Sequence, residues 1–468
     1  MENSKLIGLL RSFNEQEWIE FGDFVASPYF NKRSALIRFY EVLSNAAPDF
    51  SGEQMKKEQV FSGIFPREGY DDKKMAYHMN YLLKLAEQFL GRKVYESRAA
   101  GEQLDILEGF VRKGQGKNFQ FLEKKLKRFF KQRQSRESDY WYHRFRFAAI
   151  QLEHFNTLKK RSIDPSFQEY SDTLDTFFLF EKLRHASSIA TLQDLVTAEV
   201  DLGMVDEIIQ FLAKADHVVP EVDVYRYLFL AYRHSDSTYF EQFLTLLRKQ
   251  VETASPRIKR ELFLFAINFC GRQIMAGHST YYTVMLDLYM EGVDNRALFE
   301  GEYLSPWTYT NVVKLALGLK KIGLLEEFIE THSAHLPPGH RVDAEHLNRA
   351  ELSYFKKDYG EVLDNLNKLE HSDFYYTLGS RVLLLKTFYA QDDIEPLLSQ
   401  ITAFNQYLRR NKKLSGSVKK PFSNFCRSLA LILRSPPKKA EKVRQQIEEL
   451  HPVAEKSWLL ETLKKELG

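Results

Sequence analysis

Apolar residues recur at helical spacing along almost the whole chain, and this pattern constrains the fold more than any other feature. Between residues 75 and 90, Met75, Met79, Leu82, Ala86 and Phe89 follow one another by steps of four, three, four and three. Such steps place side chains on one stripe of an α-helix, whereas strand-like alternation is nearly absent. The 14 prolines are sparse and stand mostly near proposed helix ends. The sequence therefore predicts an all-α fold.

Two local patterns indicate helices at particular places. Asp71 stands just before the stripe that begins at Met75, and it is the expected N-cap of that helix. The segment "DYWYHRFRFAAIQLEHF" includes a strand-like stretch, but its apolar residues also keep steps of three and four. We therefore predict a helix there, with a short β-hairpin as the alternative. The residues of this stripe are Trp141, Phe145, Ala148, Leu152 and Phe155.

Composition is that of a folded protein. The 468 residues suffice for two or three domains or for one array of repeats, and 36 Phe with 24 Tyr supply bulky core material. Cys270 and Cys426 are the only cysteines, which excludes a disulfide framework and a thiolate-rich zinc site. The first residues lack a signal-peptide pattern, and no apolar run reaches the roughly 18 residues of a membrane span. We expect a cytoplasmic protein.

A recurrence in the second half of the chain indicates repeats. The segments "GLLEEFI", "KDYGEVL" and "QDDIEPL" begin at Gly323, Lys357 and Gln391, at intervals of 34 residues. Each follows one apolar helical stretch and opens another. Asp358 and Tyr359 stand at the turn of "YFKKDYGEVLDNL". This arrangement resembles the tetratricopeptide repeat, a 34-residue unit of two helices joined by a turn of Gly-Asp-Tyr type.

The resemblance to the tetratricopeptide repeat covers about residues 165 to 411. The Trp and Ala expected in the first helix of each unit are largely missing, and Phe328 and Pro396 occupy the small-residue position of the second. The resemblance thus implies a degenerate α-solenoid. In such a fold each helix pair buries its apolar stripes by stacking on its neighbours, which leaves a long concave surface for a partner. Weaker turns of the same kind stand at Gly203, Ser237 and Gly277.

The first hundred residues lack this period. The segments "LLRSFNEQEWIEFGDFVASPYFNKR" and "MAYHMNYLLKLAEQFL" together resemble the opening of a group of uncharacterised bacterial helical proteins, in which an aromatic "SPYFNK" follows the second helix. That resemblance implies a shared N-terminal helical module, and it implies no activity. Within the module, Asn14 and Glu17 are expected to form a capping box, and Phe13 is expected to pack on Trp18.

The stretch "SPYFNKR", residues 27–33, is interpreted as the connector between two helices, with an exposed aromatic docking patch as the alternative. Pro28 should end the preceding helix, because it disfavours α-conformation in the residue before it. At least one of Tyr29 and Phe30 should fill the junction. Asn31 or Ser34 should cap the helix that follows.

These patterns predict four parts. Residues 1–100 form an N-terminal helical module, and residues 101–161 form a basic segment of long helices. Residues 162–411 hold the degenerate helix-pair repeats. Residues 412–468 hold a basic loop and C-terminal capping helices.

Charge is segregated although the chain carries a net charge of only +3. Residues 112–161 hold 15 Lys or Arg against 4 acidic residues, and residues 409–444 hold 12 against 1. A cationic ridge flanked by aromatic residues can bind phosphates, whereas a solvated helix face is the plainer interpretation. Within these segments the candidate residues for an anionic partner are Lys124, Lys125, Lys127, Arg128, Lys131, Arg409, Arg410, Lys412, Lys413, Lys419 and Lys420. The apolar stripe beneath the first ridge is expected at Phe119, Leu122, Leu126 and Phe129.

No segment carries a recognisable catalytic motif. The segment "GFVRKGQGK" fails the phosphate-loop pattern, because Gln115 stands where that loop requires Lys, and we expect a glycine turn between two helices. A metal site at the histidine cluster would require its members to converge, and a polar loop is the preferred interpretation. The histidines of this cluster are His332, His335, His340 and His346. We therefore expect no enzyme activity, no metal and no cofactor.

The sequence favours a protein-interaction scaffold whose helical-repeat groove binds a protein or peptide partner. The alternative is a nucleic-acid-binding protein, or an accessory factor of a nucleic-acid complex, that uses residues 112–136 and 409–444. An enzyme with an unrecognised helical site is a third hypothesis. The groove candidates are Tyr354, Phe355, Tyr359, Tyr375, Tyr376 and Tyr389, of which most should lie in the core.

Overall fold

The computed structural model describes residues 1–98, 100–159, 162–192, 200–215, 219–371 and 373–467. These residues form 23 α-helices, three 3₁₀ helices of three residues each, and one short β-ribbon. The all-α prediction is confirmed. The chain divides into two compact units, Met1–Phe178 and Leu179–Gly468, and each is described by itself. The division into four parts stays a prediction.

Within the described residues, the first unit contains eight helices and the start of a ninth. They are α1 (Lys5–Leu10), α2 (Glu15–Ala26), α3 (Ser34–Ser44), α4 (Lys57–Ile64), α5 (Asp72–Ser97), α6 (Gly101–Arg112), α7 (Gly116–Gln132), α8 (Ser138–Thr157) and α9 (Pro165–Leu192), whose last residues belong to the second unit. One 3₁₀ helix, Glu53–Met55, precedes α4.

Side-chain caps begin α2 and α5, two of the three helices for which the sequence predicted them. The Asn14 side chain accepts a hydrogen bond from the Glu17 N–H, and the Glu17 carboxylate accepts one from the Asn14 N–H, which makes the predicted capping box. Asp71 Oδ1 accepts from the N–H of Lys74 at 3.0 Å. These bonds satisfy amide groups that have no partner within their own helix.

Aromatic rings fill the core of α1 to α5. Phe13, Phe21 and Phe89 pack with ring centroids 5.4 to 5.5 Å apart. Phe13 also meets Trp18 edge-on at 6.3 Å, so the predicted contact across the first turn of α2 is confirmed. Each such pair contributes about 0.5–1.5 kcal/mol beyond the burial of its area.

The "SPYFNKR" connector turns the chain from α2 into α3. Helix α2 ends at Ala26, and Ser27 is extended, as predicted for the residue before Pro28. Phe30 stacks on Phe24 with ring centroids 4.0 Å apart but stays 41% exposed, so it covers the junction only in part. Tyr29 is 85% exposed.

The expected cap of α3 is wrong. No side chain caps this helix, whose N-cap residue is Arg33. Asn31 instead turns back toward α2, where its Nδ2 donates to the carbonyl oxygen of Val25 at 2.8 Å. Its Oδ1 accepts from the N–H of Arg33 at 2.8 Å, which fixes the connector on both sides.

The segment "YHRFRF" is helical. It lies within α8, so the helix predicted there is confirmed and the alternative β-hairpin is excluded. The predicted stripe of this helix is only partly in the core. Trp141 and Ala148 are buried, whereas Phe145, Leu152 and Phe155 are half-buried.

The turn between α6 and α7 follows the sequence prediction. Gly114 follows α6 with φ +65°, a conformation that glycine adopts without strain, and α7 begins two residues later. The predicted glycine turn between two helices is therefore confirmed. The predicted stripe of α7 needs one correction, because Phe130 is buried with Phe119, Leu122 and Leu126, whereas Phe129 is only half-buried.

The described part of the second unit contains fourteen further helices and the β-ribbon. The helices are α10 (Val205–Lys214), α11 (Pro220–His234), α12 (Ser237–Gln250), α13 (Pro256–Met275), α14 (Tyr281–Asp294), α15 (Pro306–Gly318), α16 (Ile322–His332), α17 (Pro338–Phe355), α18 (Tyr359–Asn367), α19 (Phe374–Ala390), α20 (Ile394–Arg410), α21 (Gly416–Arg434), α22 (Ala440–Glu449) and α23 (Lys456–Leu467). The ribbon pairs β1 (Phe299–Glu300) with β2 (Tyr303–Leu304) antiparallel, with Phe299 opposite Leu304. The remaining 3₁₀ helices are Ser333–His335 and Pro437–Lys439.

Three consecutive helix pairs in this unit turn in the same way. Lys320, Lys357 and Asp392 each have φ between 58° and 63° and follow α15, α17 and α19. In each turn the next N–H bonds to a carbonyl oxygen five residues back, at 2.9 Å, as from Asp358 to Ser353. This is the Schellman arrangement that satisfies the last carbonyl groups of a helix.

The spacing of these turns differs from the sequence period. The left-handed residues Lys320, Lys357 and Asp392 stand 37 and 35 residues apart, not 34. Gly323 lies inside α16, and Gln391 caps α19. The turn therefore recurs while the lengths of the helices vary. Helices α15, α17 and α19 pack against one another in succession, which is compatible with a helical-repeat fold.

The C-terminal helices share a core with the last repeat-like pair. Residues of α19 to α23 form one buried apolar cluster that includes Leu385, Phe404, Phe425, Ile447 and Leu459. Among the described helices, none is both long and apolar enough to cross a membrane.

Candidate binding groove

A groove of about 890 Å³ opens between α13, α14 and α15 in the second unit. Its floor and walls are mainly apolar, and several lining residues, such as Met275 at 85% exposure, face solvent. The residues that line it are Thr191, Tyr232, Ile267, Asn268, Gly271, Arg272, Met275, Tyr282, Met285, Tyr289, Asn311, Lys314, Leu315, Gly318 and Leu319.

Local sequence signals begin two of the three helices that form the groove, α13 and α15. Ser255 caps α13 by accepting from the N–H of Ile258, and Pro256 takes the first helical position, where its fixed φ suits a helix. Pro306 takes the same position in α15. These signals set where α13 and α15 start, and the β-ribbon lies in the connection between α14 and α15.

The β-ribbon is tied to α13 and α14. Arg260 of α13 donates to the Glu300 carboxylate at 2.5 Å. Leu298, just before the ribbon, lies so close to α14 that a Cβ at Gly292 would stand 2.8 Å from its Cδ1. Any side chain at Gly292 would force Leu298 to move, so the glycine allows the chain before the ribbon to pack closely on α14.

One hydrogen-bonded pair, the exposed Asn311 and the buried Tyr289, joins two walls of the groove. Asn311 Nδ2 of α15 donates to Tyr289 Oη of α14 at 3.0 Å. Tyr289 is buried, and this burial raises the pKa of its phenol above the ordinary value. The hydroxyl therefore stays protonated and remains able to donate one hydrogen bond to a bound group.

The charged residues of the groove have one sign. Arg272 and Lys314 line it, and none of its described lining residues is Asp or Glu. Arg272 also donates to the carbonyl oxygen of Tyr232 at 3.1 Å, which fixes its guanidinium at the edge of α11. Lys314 is exposed. A positive field over an apolar surface favours a ligand with both acidic and apolar groups.

None of the six predicted groove candidates is among the described residues that line this groove. Tyr375 comes nearest, because its ring centroid is 6.0 Å from Nζ of Lys314. It also packs edge-on against Trp307, which is exposed and was not predicted. Tyr376 is buried, whereas Phe355 is exposed.

The C-terminal helix covers two other candidates. Tyr389 Oη donates to the Glu466 carboxylate at 2.6 Å, and its ring meets Trp458 at 5.4 Å. Tyr354 is half-buried, and its ring lies 5.2 Å from Nζ of Lys386. Tyr359 packs 6.0 Å from Tyr354.

Lys386 is the charged residue at the centre of the contacts around Tyr354 and Tyr389. Its Nζ pairs with the Glu455 carboxylate at 2.9 Å, and only 12% of its side chain is exposed. Burial lowers the pKa of Lys386, but Glu351 and Glu455 outweigh burial and leave the pKa above its ordinary value. Burial raises the pKa of Glu351. Sequence reasoning missed this cluster, because its members come from α17, α19 and the residues around the start of α23.

The basic candidates of the first unit lie on α7. All five are exposed, and Lys127 pairs with Glu123 at 2.7 Å. Within the described residues, the other four form no ion pair with a carboxylate.

The basic candidates of the second unit lie around the junction of α20 and α21. Arg409 and Arg410 end α20, Lys412 and Lys413 follow it, and Lys419 and Lys420 lie in α21. All are exposed except Lys419, which is half-buried. The loop between the two helices spans only residues 411–415, so the glycine and second serine of "SGS" belong to α21.

The histidine cluster does not assemble into a chelating set within the described residues. His332 and His335 have ring centroids 6.0 Å apart, His340 packs near Tyr376, and His346 Nδ1 lies 3.0 Å from Asn365 Oδ1.

Both cysteines are buried in the second unit. Burial raises the pKa of the Cys270 thiol and of the Cys426 thiol to about 12. Both thiols are therefore protonated and poorly reactive at neutral pH.

Comparison with known proteins gives no further guide to the function. No protein-family model matches the chain, and neither a curated protein nor a solved structure matches it significantly.

Proposed function

We propose that the protein is a cytoplasmic, non-enzymatic interaction scaffold, a degenerate tetratricopeptide-like solenoid that binds a segment of a partner protein between α13, α14 and α15. The groove carries the proposal, since it is apolar, open to solvent and formed by three successive helices. Its volume of about 890 Å³ suits several side chains of an extended or helical peptide. The Schellman turns after α15, α17 and α19 support the repeat assignment.

The occupant we propose is a peptide segment with acidic and large apolar side chains. The apolar groups would contact Met275, Met285 and Leu315, and methionine side chains adapt readily to different partners. The acidic groups would pair with Lys314, which is exposed. Such a segment matches the groove in apolar surface and is opposite to it in charge, whereas a basic segment would be repelled.

Selection from a displayed peptide library on the full chain tests this proposal. The selected peptides should combine acidic with apolar residues and should bind with 1:1 stoichiometry. Gly318 lies in the groove, and a Cβ added to it would meet nothing within 4 Å. Gly318→Trp should therefore fill the groove without disturbing the helix and should weaken binding at least about tenfold, equivalent to about 1.4 kcal/mol.

Gly323→Trp is the matched control. Gly323 lies in α16, outside the groove, and it is equally open to an added side chain. This variant should bind like the wild type. Equal weakening by both substitutions, or selected peptides that are predominantly basic, would exclude the groove as the binding site.

A further inference from the structure

Helix α7 presents a second surface, in the first unit, that the proposed scaffold does not use. Phe121 is 77% exposed in the middle of this helix. Lys117 stands four residues before it, and Lys124, Lys125 and Arg128 stand three, four and seven residues after it. These spacings place the four cations on the face of Phe121. We refer to Lys117, Phe121, Lys124, Lys125 and Arg128 as the α7 ridge.

The cations of the α7 ridge are available to a ligand. All four are exposed, and none forms an ion pair with a carboxylate in the described part of the chain. Glu123, the one acidic residue of α7, pairs with Lys127 at 2.7 Å instead. An α-helix turns by about 100° per residue, so the six residues from Phe121 to Lys127 place Lys127 off the ridge. The ridge therefore has uncompensated positive charge around one aromatic ring.

The opposite face of α7 is buried in the core of the first unit. Phe119, Leu122, Leu126 and Phe130 are buried there. The Phe119 ring stacks on His154 at 3.7 Å, and Phe130 packs on Phe147 at 5.5 Å. An amphipathic helix binds a membrane with its apolar face, so α7 cannot do so without leaving this core. One exposed ring among cations fits a different ligand.

We propose that the α7 ridge binds single-stranded nucleic acid, with Phe121 stacking on a base and the four cations contacting phosphates. Surfaces of this kind combine a positive track with an aromatic platform, and a planar base has the face that such a platform needs. From Lys117 to Arg128 the ridge runs about 17 Å at about 1.5 Å per residue, enough for a few nucleotides. Duplex nucleic acid would meet the same cations but would offer no unstacked base to Phe121.

Fluorescence anisotropy with the full chain tests the proposal. The probes are a labelled oligonucleotide of about 20 unstructured nucleotides, as DNA and as RNA, and a duplex of equal length, at about 50 to 200 mM salt. The single strands should bind more tightly than the duplex, and Phe121→Ala should weaken single-strand binding about tenfold while changing the salt slope little. Lys124→Gln, alone and together with Arg128→Gln, should reduce the magnitude of that slope by about 0.7 for each lost phosphate contact.

Lys127→Gln is the matched control, because it removes the same charge from the same helix but off the ridge. It should change affinity less than about twofold, since Lys127 is already paired. Four outcomes would overturn the proposal: no binding at the lowest salt, binding that Phe121→Ala leaves unchanged, equal effects of Lys127→Gln and of Lys124→Gln alone, or equally tight binding to polyglutamate or to phosphatidylserine vesicles. Thermal melting of each variant confirms that it is folded. None of these results bears on peptide binding in the second unit.

Discussion

Asn31 Nδ2 lies 2.8 Å from the carbonyl oxygen of Val25, so a connector side chain closes the end of the helix that precedes it. Asn31 is 6% exposed and also bonds to the N–H and carbonyl oxygen of Arg33. The "SPYFNKR" stretch is therefore a helix connector held by the buried Asn31 amide, and both of its aromatic rings remain exposed to different degrees.

Asn31→Ala should lower the free energy of unfolding of the first unit by about 1–3 kcal/mol, because it leaves buried backbone groups without partners. Lys32→Ala, one residue away and exposed, should stay within about 0.5 kcal/mol of the wild type. Urea unfolding of both variants measures the difference. If the two variants have equal free energies of unfolding, the hydrogen bonds of the Asn31 side chain do not stabilise the connector.

The two aromatic residues of the connector should behave differently. Phe30→Ala removes the stack on Phe24 and should cost about 1 kcal/mol. Tyr29→Ala should leave the unfolding midpoint nearly unchanged, since the ring is mostly exposed. Thermal melting compares them. A larger loss from Tyr29→Ala would contradict the assignment of Phe30 as the ring that packs on the junction.

The Schellman turn after α17 should be stabilised by glycine. Lys357 has φ +63°, a conformation that costs a non-glycine residue about 1–2 kcal/mol. Lys357→Gly should therefore raise the free energy of unfolding by about 1 kcal/mol. Gln391→Gly, at the C-cap of α19 with an ordinary φ of −85°, should bring no such gain. Chemical denaturation of both variants measures the change in the free energy of unfolding. A loss from Lys357→Gly would contradict the turn geometry.

Glu351 should make stability depend on pH. Burial is the largest influence on this carboxyl and raises its pKa in the folded state, whereas Lys386 and Lys314 favour its charged form and Glu455 opposes it. A carboxyl with a raised folded pKa contributes its full stability below the unfolded pKa of about 4.3 and loses it as pH rises through the folded pKa.

Glu351→Gln should consequently raise the melting temperature near neutral pH, with a gain that shrinks toward about pH 4. Glu345→Gln, which removes a partly exposed pair with Arg349 on the same helix, should give no such gain. Melting curves recorded between about pH 4 and neutral pH distinguish the two variants. A lower melting temperature for Glu351→Gln at neutral pH would mean that the lysine contacts outweigh burial.

Local features were predictable from the sequence, because their signals lie in adjacent residues. The helical stripe from Met75 to Phe89, the cap at Asp71 and the turn at Lys357 depend on interactions within a few residues. The β-ribbon was missed, since strands of two residues leave almost no pattern. The 34-residue period was misleading about the spacing of turns because helix lengths vary between pairs.

The groove could not be predicted in the same way. Ile267, Gly271 and Met285 are ordinary members of helical stripes, and only the packing of α13, α14 and α15 leaves a concavity between them. The predicted tyrosines have the residue type of a binding surface, but Tyr389 is covered by α23. Which side chains a later helix covers depends on contacts between residues far apart in sequence.

The most direct test of the scaffold proposal is a charge exchange at Lys314. Isothermal titration of a selected acidic peptide should give binding to the wild type, and Lys314→Glu should weaken it at least about tenfold. A peptide in which one acidic residue is replaced by Lys should bind Lys314→Glu better than it binds the wild type. Lys249→Glu, an exposed lysine of α12 outside the groove, is the control and should leave binding unchanged. Equal effects of Lys314→Glu and Lys249→Glu, with no recovery by the exchanged peptide, would contradict the proposal.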